Sequence, residues 1–262
     1  MAEYATSIGT SDATSITLLG HDLAGELMGK VSFGELAFWL GALRRPSAGE
    51  LTVFEAVLVA LADHGFTPSA IAARLTLTGA PESLQGALAA GLLGGGSRYL
   101  GVTEDCGKFL AAALAAHDGA MPDTDAGWDE IATKAVTAQR AAGRLVPGLG
   151  HPIHKNGDPR TPVMFQIARD SGVLGPHLKL FAAVGRVHPA IIGRTLPLNG
   201  AGVCGAALAD LGFPPDLLRG FALLARTAGL LGHLAEEMRK PAGQDIYREA
   251  DDAIRYVPPP ES

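Results

Sequence analysis

The sequence predicts an all-α protein, and three observations support that prediction. Hydrophobic residues make up 47% of the 262 residues but aromatic residues only 6%, a balance typical of helices that bury alanine and leucine. Apolar residues recur at helical spacing, and signals for helix starts and ends separate the segments in which they recur. The alternation of apolar and polar residues that marks half-buried strands is nearly absent. We therefore expect helices to form the core.

The first clear helix start is a capping box, in which Ser47 and Glu50 precede the apolar run ELTVFEAVLVALADHG. Gly65 is expected to end this helix, because glycine is favoured just beyond a helix C-terminus. Proline directly after Thr67 predicts the next start, since proline is tolerated in the first turn. Further helices are expected after Gly79-Ala80-Pro81, over residues 128–144, after Thr161-Pro162, and from Pro215 to a stop at Pro241.

Two glycine-rich segments, residues 94–96 and 200–205, are expected to be breaks that divide the chain into rigid bodies. The alternative is that their glycines allow close contact between helices. The tail from Tyr247, which ends in VPPPES, is expected to be an extended arm that lies on a partner subunit or has no fixed structure.

Composition argues against several classes of protein. The net charge of −6 argues against a nucleic-acid partner, and no apolar run reaches the roughly 18–20 residues that span a membrane. No signal peptide is visible, so we expect a cytoplasmic protein. Two cysteines, Cys106 and Cys204, cannot build a disulfide scaffold and have no metal-ligand spacing, so no metal is expected. The high apolar content predicts buried helix faces, including faces against a second subunit.

The most informative segment is residues 146–160, VPGLGHPIHKNGDPR. Glycines let the backbone approach a bulky ligand, and a histidine directly after them, His151, can exchange a proton near neutral pH. An arginine at a helix start, Arg160, can hold a carboxylate with two hydrogen bonds. The segment therefore predicts a site for a large ligand that carries an acidic group.

Four blocks in order give the chain a resemblance to the citrate synthase family, in the short form similar to citryl-CoA lyase. They are ALADHGFTPSAIAARL, GALAAGLLGGGSRYLG, GLGHPIHKNGDPR and the long segment that begins LPLNGAGVCGAALADLG, and together they cover roughly residues 51–241. The resemblance implies a helical homodimer with the active site in a cleft between two domains. The large, dimerising domain would comprise residues 1–97 and 216–262, and the small, CoA-binding domain residues 98–215.

The resemblance also implies roles for individual residues. His151 would bind the keto or hydroxyl oxygen of the substrate, and His64 would contact the same acid. Arg160 and Arg226 would hold substrate carboxylates, with a second clamp at Arg239 or Lys240. The loop expected to contact coenzyme A consists of Pro147, Gly148, Leu149 and Gly150.

The sequence departs from the family pattern at two catalytic positions. In the turn Leu198-Asn199-Gly200-Ala201, Ala201 stands where the family has a catalytic aspartate, while Asn199 is a candidate substrate-binding residue. In residues 95–99 the second catalytic histidine is missing, and Arg98 or Tyr99 are the only candidates to replace it. Loss of a positioned base typically costs about 10²–10⁴ in rate, so condensation by the usual route is not expected.

The residues that remain belong to the hydroxy-acid half of the site, which leads to a lyase hypothesis. The chain would cleave a 3-hydroxyacyl-CoA, such as citryl-CoA, to acetyl-CoA and oxaloacetate, with His151 as base and Arg98 stabilising the enolate. The alternatives are a lyase or condensing enzyme for another acyl-CoA, and a protein that binds CoA esters without turnover. A CoA ester is the expected substrate, and no metal, nucleic acid or membrane is an expected partner.

Several of these residues also have plain structural interpretations. His64 could cap a helix C-terminus, and His154 could simply support its neighbours. Arg226 lies in an apolar segment and needs either a ligand carboxylate or an internal acid as its partner. His233 is expected to be a satisfied core histidine. His117 and His177 are expected at the surface.

Overall fold

The computed structural model describes residues 3–260, and its elements confirm the prediction of a mainly helical chain. The helices are α1 (Phe33–Ala42), α2 (Ala48–Ala62), α3 (Pro68–Gly79), α4 (Leu84–Leu93), α5 (Val102–Ala115), α6 (Asp125–Ala141), α7 (Arg160–Asp170), α8 (Pro176–Ile192), α9 (Gly200–Asp210), α10 (Leu218–Arg239) and α11 (Gly243–Asp252). A single π-helical turn, Leu23–Leu27, and a 3₁₀ turn, Pro215–Leu217, complete them.

The predicted helix starts are confirmed where a side chain caps the helix. Glu50 donates its backbone N–H to Ser47 Oγ at 3.3 Å, and the backbone N–H of Ser47 is bound by the Glu50 carboxylate at 2.8 Å. Thr67 Oγ1 likewise accepts the N–H of Ala70 at the start of α3. These contacts satisfy N–H groups that have no partner within the helix, which explains why the sequence signal was reliable.

A small antiparallel sheet was not foreseen. Its strands β1 (Gly9–Ser11), β2 (Ile16–Leu18) and β3 (His21–Asp22) pair in the order β1-β2-β3. Leu19 and Gly20, which join β2 to β3, both have positive φ, as a two-residue hairpin of the primed type requires. Strands of two or three residues are too short to show an alternating pattern, so no periodic signal marked them.

Of the expectations about irregular segments, one was wrong, and for residues 200–205 the alternative of close helix packing is confirmed. Residues 200–205 are the first half of α9, not a break: the glycines there allow close packing, since a Cβ at Gly205 would lie 2.1 Å from the Thr103 carbonyl oxygen. The chain beyond Tyr247 is helical as far as Asp252, because α11 runs from Gly243 and packs against α3. Within the described part of the chain, residues 253–260, which follow α11, form no helix or strand.

The chain divides into two compact units. Unit 1 comprises the residues up to Val57 together with Thr103–Leu218, and unit 2 comprises Leu58–Val102 together with the residues from Arg219 onward. These boundaries differ from the expected ones by joining the first 57 residues to the segment that carries the GLGH loop. The roles assigned to the two expected domains, dimerisation and CoA binding, stay predictions.

Each unit has its own core. In unit 1, Phe38 packs edge-on against Phe54 and Phe213, with ring centroids 5.4 and 4.9 Å apart, while α8 packs against α6 and α9. In unit 2, α3, α4 and α10 enclose a cluster of small and branched side chains: Ala70, Ala73, Leu77, Ala87, Leu230 and Leu234. Alanine on helix surfaces lets neighbouring backbones approach closely, which explains a core with few aromatic residues.

Candidate functional site

The GLGH loop of unit 1 is fixed to the segment that precedes α9. The N–H of Gly150 donates to the Pro197 carbonyl at 2.7 Å, and Leu149 pairs with Leu198 in an isolated antiparallel bridge. Gly148 is buried with φ +83°, and a Cβ there would lie 2.5 Å from the ring of Phe181. The first of the two loop glycines is therefore required both by its backbone conformation and by the space around it.

Asn199 links this loop to α9 through three hydrogen bonds. Its backbone N–H donates to the Gly148 carbonyl at 2.9 Å, and its Nδ2 donates to the Gly150 carbonyl at 2.8 Å. Its Oδ1 accepts the N–H of Gly202 at 2.8 Å and so caps the helix. The prediction that Asn199 binds substrate stays a prediction, but the side chain is buried and its amide serves the loop.

His151 sits half-buried at the end of the loop, and its ring orientation is set by its own backbone. Nδ1 accepts the N–H groups of Ile153 at 3.1 Å and of His154 at 3.0 Å. A ring nitrogen that accepts hydrogen bonds carries no proton, so the neutral ring has its proton on Nε2. This geometry makes His151 a hydrogen-bond donor at Nε2 and opposes the role of base, because a base at Nε2 requires a protonated Nδ1.

His154 lies beside His151, with ring centroids 4.4 Å apart and planes inclined by 33°. Imidazole is also a ligand that zinc, copper and iron accept. The expectation that no metal is required therefore stays a prediction, as does the supporting role of His154.

Arg160, the first residue of α7, is held by Asp158. Nε of Arg160 donates to Oδ1 at 3.0 Å and Nη2 donates to Oδ2 at 2.7 Å. Asp158 also accepts the N–H of Gly200 at 2.7 Å. Burial by itself would raise the pKa of Asp158, but these donors outweigh it and hold the pKa far below its usual range. The Arg160 side chain is 22% exposed.

In unit 2, the turn after α2 carries His64. The residue before it, Asp63, faces Arg226, which the resemblance implies as a carboxylate-binding arginine. Asp63 Oδ1 lies 3.5 Å from Nη1 of Arg226, which is buried on α10. Asp63 also accepts the N–H of Gly65 at 2.8 Å. Arg226 was expected to pair with either a ligand carboxylate or an internal acid, and Asp63 is such an internal acid. The roles of Arg226 and His64 toward a ligand stay predictions.

The structure reveals a buried polar chain in unit 2 that the sequence did not single out. Arg74, only 1% exposed, donates to Nδ1 of His233 and to the Glu237 carboxylate, the latter at 2.8 Å. His233 Nε2 lies 2.9 Å from Asp63 Oδ1, so the prediction of a satisfied core histidine is confirmed. Glu237 accepts the N–H groups of Ala242 and Gly243, which start α11. A lone arginine in an apolar helix is the signal that could have indicated this chain.

Arg98 and Tyr99 lie in a turn between α4 and α5 that is organised by one carbonyl. The Gly96 carbonyl accepts the N–H groups of Tyr99, Leu100 and Gly101 at 3.3, 3.1 and 2.9 Å. Arg98 is exposed and Tyr99 is 50% exposed. Their part in catalysis stays a prediction. The same holds for the second clamp, since Arg239 and Lys240 are exposed at the end of α10.

Three further residues outside the loop have no assigned role in catalysis: Ala201, Cys204 and His177. Ala201, in the first turn of α9, offers a methyl group that can take no proton. Burial raises the pKa of Cys204 to about 12, so this thiol is no nucleophile at neutral pH. His177 is not simply at the surface as expected, because its Nδ1 lies 2.9 Å from Asp210 Oδ1. A cavity of about 440 Å³ between α5 and α6 is lined by none of the candidates.

The family model of the citrate synthase C-terminal domain matches residues 10–250. The chain belongs to the citrate synthase family. The resemblance seen in the four sequence blocks and the citrate synthase-like, all-α fold class are therefore both confirmed. These matches support an enzyme of the citrate synthase and lyase superfamily.

Solved structures extend the match over the whole chain. Citryl-CoA lyase from Hydrogenobacter thermophilus is 28% identical and superposes with a TM-score of 0.84, covering 99% of this chain and 96% of that one. ATP citrate lyase from Methanothrix soehngenii, in complex with citrate and coenzyme A, superposes with a TM-score of 0.79 at 23% identity. It covers 100% of this chain but 42% of that one, and the likeness concerns the fold.

Among characterised sequences, 2-methylcitrate synthase 2 of Corynebacterium glutamicum is 28% identical over 190 residues, which is 70% of this chain. The alignments span less than half of the relatives' own lengths, 45% for this synthase and 39% for a probable ATP-citrate synthase subunit 1 of Neurospora crassa. Among the helices of residues 3–260, none is long and apolar enough to cross a membrane.

Proposed function

We propose that this citrate synthase family member is a CoA-dependent carbon–carbon bond lyase that cleaves citryl-CoA to acetyl-CoA and oxaloacetate. The observation that carries the proposal is the match to a citryl-CoA lyase over nearly the full length of both chains, at 28% identity.

Cleavage of a 3-hydroxyacyl-CoA starts at the hydroxyl group. The O–H bond gives up its proton to solvent water, the C–O bond becomes a carbonyl, and the bond between Cα and Cβ breaks. Its electron pair moves into the thioester, which leaves as an enolate and takes a proton from solvent water at carbon, because Ala201 offers no acid there. The protein must therefore stabilise negative charge first on the oxygen and then on the enolate.

His151 is our candidate for the group at the hydroxyl oxygen. Because its Nδ1 is occupied by two backbone N–H groups, the ring would present Nε2–H to that oxygen as a donor. A donor stabilises the developing keto acid without having to be the proton's acceptor. We therefore revise the hypothesis that His151 is the base, and assign it hydrogen-bond stabilisation of the oxygen.

The other roles are those that the resemblance to the citrate synthase family implies, with Arg98 added by its position. Arg160 and Arg226 would bind carboxylates of the hydroxy acid, and residues 147–150 would pack against coenzyme A. Arg98 would stabilise the enolate, since it is the cation of the turn where the family has a histidine. His64 would contact the keto acid. A homodimer would form the working enzyme, and its test is the molar mass in solution by light scattering.

The experiment that tests the proposal is a citryl-CoA cleavage assay in which malate dehydrogenase reports oxaloacetate through NADH oxidation. His151→Gln keeps a side-chain donor and cannot exchange protons as imidazole does, whereas His151→Ala removes both properties. We expect His151→Gln to keep more activity than His151→Ala, with Arg98→Ala losing about 10²–10³ in kcat. His117→Ala is the matched control, since His117 lies outside the loop. Full activity in both His151→Ala and Arg98→Ala would exclude the assigned roles.

A second candidate function is turnover of another acyl-CoA, as a lyase or a condensing enzyme. The similarity to a 2-methylcitrate synthase favours it. The acyl group would then be propionyl, one methyl group larger than acetyl. Parallel assays with citryl-CoA and 2-methylcitryl-CoA, and with propionyl-CoA plus oxaloacetate, distinguish the two. Binding of both esters without any turnover would instead indicate a CoA-ester-binding protein.

A further inference from the structure

A side chain at residue 200 would collide with the guanidinium of Arg160 where it now lies. A Cβ built on Gly200 would lie 2.2 Å from Nε, 2.4 Å from Cζ and 2.7 Å from Nη2 of Arg160. Real Cβ atoms do not approach other atoms so closely, so a side chain at residue 200 must displace the guanidinium. The guanidinium of Arg160 thus lies directly against the backbone at the start of α9.

The backbone itself does not require glycine here. Gly200 is the first residue of α9, and its φ lies outside the left-handed range, unlike that of Gly148. Alanine is the better helix former, so a helix start without other demands gains by replacing glycine. The contact with Arg160 is therefore the reason for glycine at this position.

The same residue holds the acid that orients Arg160. The N–H of Gly200 donates to Asp158 Oδ2, which is also the acceptor for Nη2 of Arg160, both at 2.7 Å. Asp158 is 3% exposed, so little of this carboxylate is open to water. Gly200 thus donates its N–H to Asp158, and its lack of a side chain leaves space for the guanidinium of Arg160.

We propose that Gly200 is a specificity-determining positioning residue, which sets the guanidinium of Arg160 to receive a carboxylate of the ligand. The inference rests on the proposed function in one respect only, namely that Arg160 binds a substrate carboxylate. It predicts that substitution at residue 200 weakens carboxylate binding through Arg160 and leaves recognition of the CoA portion intact.

A double-mutant cycle of Gly200→Ala and Arg160→Ala tests the proposal. In the wild-type background, Gly200→Ala is expected to lower the Tm and to weaken citrate binding, measured by calorimetry, about tenfold or more. In the Arg160→Ala background the guanidinium is gone, so Gly200→Ala is expected to raise the Tm and to leave citrate binding unchanged. CoA binding stays within about twofold of wild type in every variant. Gly232→Ala is the control, because a Cβ there meets no atom within 4 Å.

A readout that needs no ligand separates this inference from the proposed function. The Nε–H of Arg160, bound to Asp158, is expected to be protected from exchange with water in ¹⁵N NMR spectra, and Gly200→Ala should remove that protection. Retained protection, or an equal loss of Tm in both backgrounds, overturns the role of Gly200. If the wild type binds neither citrate nor citryl-CoA, the proposed function and the specificity role both fail. If the NMR and Tm results still hold in that case, the conclusion that Gly200 positions Arg160 stands.

Discussion

Asp158 binds the guanidinium of Arg160 through two parallel hydrogen bonds, Nε to Oδ1 at 3.0 Å and Nη2 to Oδ2 at 2.7 Å. The pair joins the start of α7 to the start of α9, because the acid also accepts the N–H of Gly200. A carboxylate with several donors stays ionised at acidity where exposed carboxylates are protonated.

This pair predicts how stability depends on pH. The pKa of Asp158 is lower in the folded chain than in the unfolded one, so its contribution to stability is complete above about pH 4 and falls as the pH drops below that. In urea titrations, wild type should therefore lose stability relative to Asp158→Asn as the pH is lowered from 5 toward 3, values chosen to bracket the usual carboxylate range of about 4. At neutral pH we expect Asp158→Asn to be less stable by about 3–5 kcal/mol. A difference between the two proteins that does not change with pH would contradict this.

The two glycines of the GLGH loop allow a matched comparison. Gly148 and Gly150 have nearly the same φ, +83° and +84°, but only at Gly148 would an added Cβ meet neighbours within 4 Å, the nearest being the ring of Phe181. Gly150→Ala should cost about 1–2 kcal/mol from backbone strain alone. Gly148→Ala adds the cost of overpacking, about 1–3 kcal/mol. Unfolding in urea and CoA affinity by calorimetry would check both, and equal effects at the two positions would show that the contact with Phe181 is unimportant.

Asn199 is expected to stabilise the GLGH loop, whether or not it also contacts the ligand. Asn199→Asp keeps Oδ1 as the helix cap but places a second acceptor oxygen against the Gly150 carbonyl, where Nδ2 now donates. We expect a loss of about 1–3 kcal/mol in unfolding free energy. Asn156→Asp, in the exposed part of the same segment, introduces the same charge and should change stability by less than about 0.5 kcal/mol. Thermal and urea unfolding of the two variants would decide, and equal losses would point to a general charge effect.

The buried arginine of unit 2 should be important for stability. Arg74→Met removes the cation that faces Glu237, which is 4% exposed, and should cost about 3–5 kcal/mol. Glu236 also pairs with Arg74 but is 53% exposed, so Glu236→Gln should cost less than about 1 kcal/mol. Urea unfolding measures both. A small effect of Arg74→Met would mean that the N–H groups of Ala242 and Gly243 suffice to hold Glu237.

Features that depend on neighbouring residues could be predicted from the sequence alone. The cap at Ser47, the proline after Thr67 and the glycines of the GLGH loop act within a few residues, so their structural effects are encoded locally. The family, too, followed from short blocks of sequence and was confirmed over residues 10–250.

Features that depend on residues far apart in the chain became visible only in the folded structure. The glycines at 200 and 205 indicated either a break or close helix packing, and the sequence could not decide between them. They lie in a helix, where a side chain at either position would collide with Arg160 or Thr103. The acid that faces Arg226 lies on the turn after another helix, and the proton position on His151 follows from how the loop folds back on its ring. Local sequence encodes helix starts and turns because their hydrogen bonds close over few residues, whereas charge pairing and backbone contact are set by which helices the fold brings together.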